Sequence, residues 1–386
     1  MPTNISKEEE QAPPSVRAAT PPPHVSASTR KIVAPQFTTF QPRNFYRSGN
    51  DCINKIAWSC DGKRLASCSN SKEVKLWDIE RSLDNADLSL SGSNKDPVNH
   101  VACHPTHPQL LCSASRKAGQ IYFWDARRFK KELYTIPLAV DSVTYAPDAQ
   151  TVLAMDRMDN MRIIDCRMVG SSEPNEWSLR EESLRLGSDA GGDSVYQAIF
   201  NHVGDMAFLA KEDGQITMVE YPSLKIWHSL PAHVTACYTL ALDPRGSYLA
   251  SGGADGFVNF FDTTEFIASK AVPTIDSGIR TIAFSYDGEY LAAGCAEQSS
   301  VYIICTETGE LVHRITYDGE YLAAGCAEQS SVYIICTETG ELVHRIPCLG
   351  TPSTVAWHPT RHLLAFGGDN EYSPASRGRW LSIFGS

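Results

Sequence analysis

The chain has no hydrophobic run long enough to cross a membrane and no Cys-x-x-Cys pair, although it contains 12 cysteines in 386 residues. A transmembrane helix needs about 20 consecutive apolar residues, so we expect no contact with a membrane. The first residues lack the basic and apolar regions of a secretory signal. Several cysteines, such as Cys112, Cys305 and Cys336, fall within predicted strands. They suit small buried side chains in a reducing compartment.

The chain also lacks a basic excess and the common catalytic fingerprints. Its formal net charge is −11, whereas proteins that wrap nucleic acid bind phosphates through clustered Lys and Arg. GxSxG, HExxH, Walker and dinucleotide-binding sequences are absent. We therefore expect a protein that is not an enzyme, that needs no cofactor, and whose contact with RNA is mostly indirect.

What the chain does contain is a repeated strand pattern, most regular from Leu240 to Asp262. Apolar residues alternate in three runs, separated by turns at Pro244-Arg245-Gly246 and Ala254-Asp255-Gly256. Glycines in such turns can adopt the positive φ that hairpins require. A period of two predicts three antiparallel strands, with Phe257 and Phe261 on the same face of the third strand.

The same pattern recurs along the chain from Asn54. The last apolar residue of each first strand, the anchor, falls at Trp58, Cys103, Tyr145, Phe200, Leu242, Phe284 and Trp357. The intervals are 45, 42, 55, 42, 42 and 73 residues, and a four-stranded repeat of about 40 to 45 residues is typical of a propeller blade. The expected fold is an all-β propeller over residues 33–386, with seven blades favoured and eight, one incomplete, as the alternative.

Two intervals and both ends of the chain depart from this regularity. The interval of 55 contains a polar stretch at 170–194, which we interpret as an inter-blade loop with a short helix at 178–186. The interval of 73 contains a duplication, because residues 317–346 repeat residues 286–315 without a change. Residues 1–32 are rich in Pro, Ser and Glu and are predicted to be a disordered tail. The last blade lacks a fourth strand, and Gln36–Phe40 is the candidate to supply it and close the ring.

Two clusters of polar residues could be read as chemical sites. Cys103, His104 and His107 resemble a metal-binding group, but a similar His-Pro-Thr sequence recurs at His358 in phase with the blades, so we favour a turn. Asp156 and Asp159 could serve as an acid and a base, yet they fall in a predicted hairpin where Asp commonly forms local hydrogen bonds. We expect no metal site and no catalytic residue.

A basic cluster follows the third strand of the second blade. It consists of Arg127, Arg128, Lys130 and Lys131. These residues could contact RNA phosphates or a partner protein, although an exposed charged edge is the commoner use of such residues.

Three stretches resemble the THO complex subunit 3 family of WD-repeat proteins: residues 56–67, 221–225 and 354–366. The similarity runs in order from about Asn54 to the C-terminus. The duplication of 317–346 is not part of the family pattern.

In WD repeats, the resemblance implies a buried network of a His before the first strand, an Asp in a hairpin and a Trp in the third strand. The matching structural positions are Trp77, Asp78, Trp124, Asp125, His233, Asp255, Phe261 and Asp262. Only the fifth blade keeps both His233 and Asp255, and it has Phe261 in place of Trp. We therefore expect a weak network, with apolar packing between blades dominating stability.

The resemblance further implies a nuclear, non-catalytic scaffold subunit of a THO complex. Such a subunit would act within TREX-like machinery that couples transcription to mRNA packaging and export. Its partners would be other THO subunits and export factors. The alternatives are a WD-repeat adaptor of another complex, either a ubiquitin-ligase substrate receptor or a chromatin reader, and then an enzyme of unrecognised type.

Overall fold

The structure is a computed structural model that describes most of the chain from residue 43 onward. The described ranges are 43–46, 53–70, 72–79, 88–90, 96–128, 132–156, 160–166, 179–185, 194–273, 278–295, 300–305, 331–335, 342–347, 351–369 and 379–385. The regular elements in these ranges are all β-strands, numbered β1 to β29 in chain order. No helix in these ranges is long and apolar enough to cross a bilayer.

The first four sheets after β1 (Arg43–Tyr46) each have four strands and follow one another in sequence. Blade 1 contains β2 (Ile53–Trp58), β3 (Arg64–Ser69), β4 (Val74–Asp78) and β5 (Leu88–Leu90). Blade 2 contains β6 (His100–Cys103), β7 (Leu110–Ser115), β8 (Gln120–Asp125) and β9 (Tyr134–Ile136). Blade 3 contains β10 (Ser142–Tyr145), β11 (Thr151–Met155), β12 (Asn160–Asp165) and β13 (Leu179–Arg185). Blade 4 contains β14 (Val195–Phe200), β15 (Met206–Lys211), β16 (Gln215–Glu220) and β17 (Ile226–Pro231).

Three further sheets complete the described architecture. Blade 5 contains β18 (Cys237–Leu242), β19 (Tyr248–Gly253), β20 (Phe257–Asp262) and β21 (Ala268–Pro273). Blade 6 contains β22 (Ile279–Phe284), β23 (Tyr290–Cys295), β24 (Ser300–Cys305), β25 (Ser331–Ile335) and β26 (Leu342–Pro347). Blade 7 contains β27 (Thr351–Trp357), β28 (Leu363–Asp369) and β29 (Arg379–Gly385), with β1 beside β29.

The first strands of the seven described sheets form a ring around a central channel. Each of them contacts the first strand of the next blade, and β27 contacts β2, so the fold is the predicted all-β propeller. We call these first strands the inner strands. The connections that precede the inner strands and the hairpins between the second and third strands lie on one face of the ring, which we call the upper face. The first-to-second-strand hairpins open onto the lower face.

The ring is closed by a strand from near the start of the chain, as the sequence indicated, but not by the residues chosen. The closing strand is β1, which pairs with β29 and places Arg43 opposite Ile383. Gln36–Phe40, the predicted strand, lies outside the described residues. Residues 47–52 separate β1 from β2, so the strand that closes the ring directly precedes blade 1 in the sequence.

The predicted helix at 178–186 is wrong. These residues contain β13, which pairs with β12 and places Leu179 opposite Ile164. The third strand of a blade needs a partner on its outer edge, and this tertiary requirement overrides a weak local preference for helix. The long interval therefore contains the usual fourth strand as well as a connection.

Blade 6 differs from the others because the duplicated sequence enters it. Strand β25 lies parallel to β24, with Ser331 opposite Ser300 and Val332 opposite Val301, so each residue faces its own duplicate. Strand β26 is then the outermost of five strands. Residues 306–330 lie outside the described part of the chain, so the choice between seven and eight blades stays a prediction.

The hydrophobic core lies between the blades, because each sheet buries both of its faces. In blade 5, Val258 and Phe260 pack with Leu291 of blade 6, whereas Phe261 packs with Phe208 of blade 4. The apolar side chains of β20 thus alternate between two buried faces, as the period of two predicts, and Phe257 is 39% exposed at the upper end of the strand.

Candidate partner-binding surfaces

The tryptophans of the two Trp-Asp pairs are buried and hydrogen-bonded to serines of the second strand. Trp77 is 2% exposed, and its Nε1 donates to Ser67 Oγ at 2.9 Å. Trp124 is 1% exposed, and its Nε1 donates to Ser113 Oγ at the same distance. Each indole thus has its polar atom satisfied within a closely packed core.

Blade 5 contains the other half of the expected network. His233 Nδ1 lies 3.0 Å from Asp255 Oδ1, and His233 Nε2 lies 2.8 Å from Ser251 Oγ. Burial lowers the pKa of His233, although the nearby carboxylate of Asp255 acts in the opposite direction. A neutral imidazole therefore donates from Nδ1 to Asp255 and accepts from Ser251 at Nε2. Phe261 is 2% exposed at the tryptophan position.

The aspartates at the ends of the third strands hold turns on the lower face. Asp125 accepts a hydrogen bond from the Arg127 amide at 2.9 Å, and Asp262 accepts one from the Thr264 amide at 2.7 Å. Asp78 lies opposite Arg64 in the ladder between β3 and β4. Asp125 and Asp262 thus each stabilise a turn next to their own strand.

The structure describes two of the four residues of the basic cluster after β8, Arg127 and Arg128. Arg127 forms an ion pair with Asp125, with Nη2 2.6 Å from Oδ2, and this hydrogen-bonded partner lowers the pKa of the Asp125 carboxyl. Arg128 is exposed, and none of the ion pairs among the described residues includes it. Lys130 and Lys131 lie outside the described residues. Of these two arginines, Arg128 is therefore the one better placed to meet a partner.

A groove on the lower face separates blades 2 and 3 next to these arginines. Its volume is about 340 Å³, and its lining includes Leu110, Phe123, Leu133, Arg127 and Arg128. We call it the inter-blade groove. Apolar walls with a cationic rim would suit a segment that carries both aliphatic and acidic side chains.

A second surface lies on the upper face at the mouth of the channel. Tyr196 and Tyr238 meet edge to face with ring centroids 5.0 Å apart, and the Arg280 guanidinium lies 4.0 Å from the centre of the Tyr238 ring. Phe257 and Val234, which is 94% exposed, lie further out on blade 5. We call these five residues the upper patch. Aromatic residues and Arg are enriched at the energetic centres of protein interfaces.

No sequence motif marks the upper patch. Tyr196, Tyr238 and Arg280 each occupy the bulged second position of an inner strand, where the register shifts. These residues belong to three different blades, so no local motif joins them. Aligning the second residue of every inner strand would have placed them side by side.

The residues first considered as a metal site stabilise hairpins instead. His104 Nδ1 accepts hydrogen bonds from the amides of Thr106 and His107 at 3.2 and 3.1 Å. His358 Nδ1 accepts one from the Thr360 amide at 3.1 Å. Among the described residues, no group of three or more His, Cys, Asp or Glu side chains could hold a metal ion.

Asp156 also makes the local hydrogen bonds expected of a turn residue. Its Oδ1 accepts a hydrogen bond from the Asn160 amide at 3.0 Å, and its Oδ2 accepts one from Asn160 Nδ2 at 2.9 Å. Asp159, its proposed catalytic partner, lies outside the described residues.

Comparison with known proteins agrees with this architecture. The family described as WD domain, G-beta repeat matches residues 41–78, 224–262 and 270–305. The structure resembles the β-propeller domain of Cps50 (Swd1) from Myceliophteria thermophila, with a TM-score of 0.65 and 19% sequence identity. The match covers 90% of this chain and 99% of that one. The chain is a WD-repeat β-propeller.

Within this class, the chain is similar to THO complex subunit 3 of Arabidopsis thaliana. The two are 28% identical over 330 residues, which span 84% of this chain and 89% of that protein. The chain is also similar to WD repeat-containing protein AAC3 of Dictyostelium discoideum. These two proteins are 24% identical over 291 residues, which span 65% of this chain and 58% of that protein. The chain is thus similar to THO complex subunit 3 over most of the length of both proteins.

Proposed function

We propose that this protein is a non-catalytic scaffold subunit of a THO/TREX-like complex in the nucleus, which couples transcription to mRNA packaging and export. The observation that carries the proposal is the similarity to THO complex subunit 3 over 84% of this chain and 89% of the relative. A propeller with buried strands and exposed connections is a rigid frame on which loops and grooves bind partners.

The inter-blade groove is the surface that we assign to another THO subunit. Its apolar walls and the exposed Arg128 favour a segment with aliphatic and acidic side chains, because the opposite charge orients and accelerates docking. Most contact with RNA would then fall to other subunits, because the net charge of −11 opposes binding of a polyanion.

Affinity purification of the full chain from nuclear extract, followed by mass spectrometry, tests the assignment. We expect other THO subunits to be recovered with the unmodified protein and to be lost with Arg128→Glu, which reverses the charge on the groove rim. Arg280→Glu makes the same change at an exposed site on the opposite face and serves as the matched control. Recovery of a ubiquitin-ligase core instead of THO subunits would contradict the proposed function.

Two further outcomes separate the parts of the proposal. Loss of THO subunits with Arg280→Glu rather than Arg128→Glu would transfer the binding surface to the upper patch and overturn the groove assignment. Tight binding of purified protein to single-stranded RNA, with an affinity that falls steeply as salt increases, would contradict an indirect role in RNA binding.

A further inference from the structure

The wall of the central channel carries one polar position that recurs in most blades. The position that lies three residues before the anchor of each inner strand is occupied, in blade order, by Lys55, His100, Ser142, Gln197, Thr239, Thr281 and Thr354. The ladders place Lys55 opposite Cys68 and Thr354 opposite Gly367, which are equivalent positions of the second strand. We call these seven residues the channel ring.

In blades 4 to 6, the ring residues bond to the inner strand of the next blade. Gln197 Oε1 accepts a hydrogen bond from Leu240 N at 3.0 Å, Thr239 Oγ1 from Ile282 N at 3.3 Å, and Thr281 Oγ1 from Val355 N at 3.4 Å. An inner strand has one edge without a neighbouring strand, and its amides need other acceptors. On this side of the channel, the side chains of the ring supply them.

In blades 7, 1 and 2, the ring residues do not make this bond. Thr354 Oγ1 and His100 Nδ1 are buried without a hydrogen-bond partner among the described residues. Lys55 lies between them in the ring, and no carboxylate of the described residues pairs with its Nζ. Buried polar groups are nearly always satisfied, since each one left alone costs about 1 to 3 kcal/mol. His100 Nδ1, which lines the channel together with Lys55, is such an exception and favours a ligand.

The charge of the channel indicates what kind of ligand fits. The cavity has a volume of about 500 Å³, and its lining includes Lys55 and His100, with Arg280 at the upper mouth. The described residues that line it include no Asp or Glu, in a chain whose net charge is −11. The acidic excess of the chain is thus kept out of the channel.

The charged forms of the two basic residues are disfavoured in the channel. Burial lowers the pKa of Lys55. Burial also lowers the pKa of His100, to about 3, and the neighbouring charge of Lys55 adds to this effect. A negative group between the two side chains would offset both burial and mutual repulsion.

We infer that Lys55 and His100 bind a phosphate group inside the channel. The ligand is a small molecule, because seven strands enclose a cavity of about 500 Å³ and the charge of the whole chain opposes a long polyanion. It is either free phosphate or a phosphate ester.

Isothermal titration calorimetry of the full chain with inorganic phosphate tests this inference, with sodium chloride holding the ionic strength constant. We expect saturable binding that Lys55→Met weakens at least tenfold, because methionine keeps the aliphatic stem and removes the amine. Lys225→Met, at an exposed lysine outside the channel, is the matched control and should change the affinity less than twofold. Should Lys55→Met fail to fold, His100→Gln provides the same comparison.

Two more probes identify the source of the phosphate group. Tighter binding of adenosine monophosphate than of inorganic phosphate would indicate a phosphate ester, and equal binding would indicate the free ion. The inference is wrong if phosphate does not saturate, or if Lys55→Met and Lys225→Met bind it equally. It is also wrong if a single-stranded oligoribonucleotide competes for the site at a lower phosphate concentration than the small molecules do.

Discussion

Blade 2 and blade 5 use different parts of one hydrogen-bonding pattern. Blade 2 has the Trp124–Ser113 bond, and blade 5 has His233 between Asp255 and Ser251. Both blades nevertheless bury an aromatic side chain at the same position of the third strand, since Trp124 is 1% and Phe261 2% exposed. The shared feature is the packed aromatic ring, and the polar partners vary from blade to blade.

This difference indicates which interaction holds the blades together. If apolar packing between blades dominates, the two blades should respond alike to loss of the aromatic ring and differently to loss of a polar partner. The predictions below test these two expectations, beginning with the largest effect.

Removing the aromatic side chain should destabilise both blades by a similar amount. We expect Trp124→Ala and Phe261→Ala each to lower the free energy of unfolding by about 3 to 5 kcal/mol, because each leaves a cavity between two sheets. Urea denaturation followed by circular dichroism measures the change. The exposed Val234→Ala is the control and should have little effect. A loss confined to Trp124→Ala would show that the two blades do not share one packing role.

Removing the serine separates the polar networks. Ser113→Ala leaves Trp124 Nε1 without its acceptor, and Ser251→Ala leaves His233 Nε2 without its donor. Both serines are fully buried, so each substitution should cost about 1 to 3 kcal/mol. Measuring Ser113→Ala both in the unmodified protein and in a Trp124→Phe background, by the same urea denaturation, isolates the contribution of the hydrogen bond in blade 2. If Ser113→Ala costs as much in the Trp124→Phe background, the hydrogen bond contributes nothing.

Sequence patterns predicted the repeat because it depends on local signals. Turn glycines, alternating apolar residues and an interval of about 42 residues specify strands without knowledge of their neighbours. The patterns failed where a neighbour decides the structure. Residues 179–185 form a strand because β12 needs an outer partner. Val258 is buried because blade 6 covers the face that a single half-buried sheet would expose.

The candidate surfaces were harder to predict for the same reason. The basic cluster is evident in the sequence, but the ion pair between Arg127 and Asp125 is seen only in the structure. Lys55 and His100 are 45 residues apart and become neighbours only when inner strands of two blades line one channel. Aligning the blades by position supplies this information, whereas a search for motifs does not.

His233 is the titratable histidine of the blade 5 network. It allows a test of the pH dependence of stability that the Trp124–Ser113 pair of blade 2 does not allow. Burial lowers the pKa of His233 in the folded state, so the unfolded chain binds more protons once the pH falls below the ordinary value of about 6.5. The stabilisation is complete above that pH and is lost as the pH falls, by up to about 1.4 kcal/mol per pH unit for each such histidine.

Denaturation between pH 5 and 7 should therefore show a shallower loss of stability for His233→Gln than for the unmodified protein. Trp124→Phe should keep the original slope, because it removes no titratable group. His100 and His358 also have lowered pKa values through burial, so the slope should decrease without vanishing. An unchanged slope for His233→Gln would mean that His233 is protonated alike in both states.

The smallest effect is expected from Phe261→Trp, which would join the two halves of the network in one blade. His233 accepts from Ser251 at Nε2, so the Ser251 oxygen keeps a lone pair for an indole N–H, as Ser113 does for Trp124. A hydrogen bond of this kind contributes about 0.5 to 1.5 kcal/mol, and the larger ring costs some of this gain in a filled core. We expect a net gain below about 1 kcal/mol that disappears in a Ser251→Ala background. If the gain survives that background, the new indole contributes through packing, and the polar network of blade 5 is independent of the aromatic position.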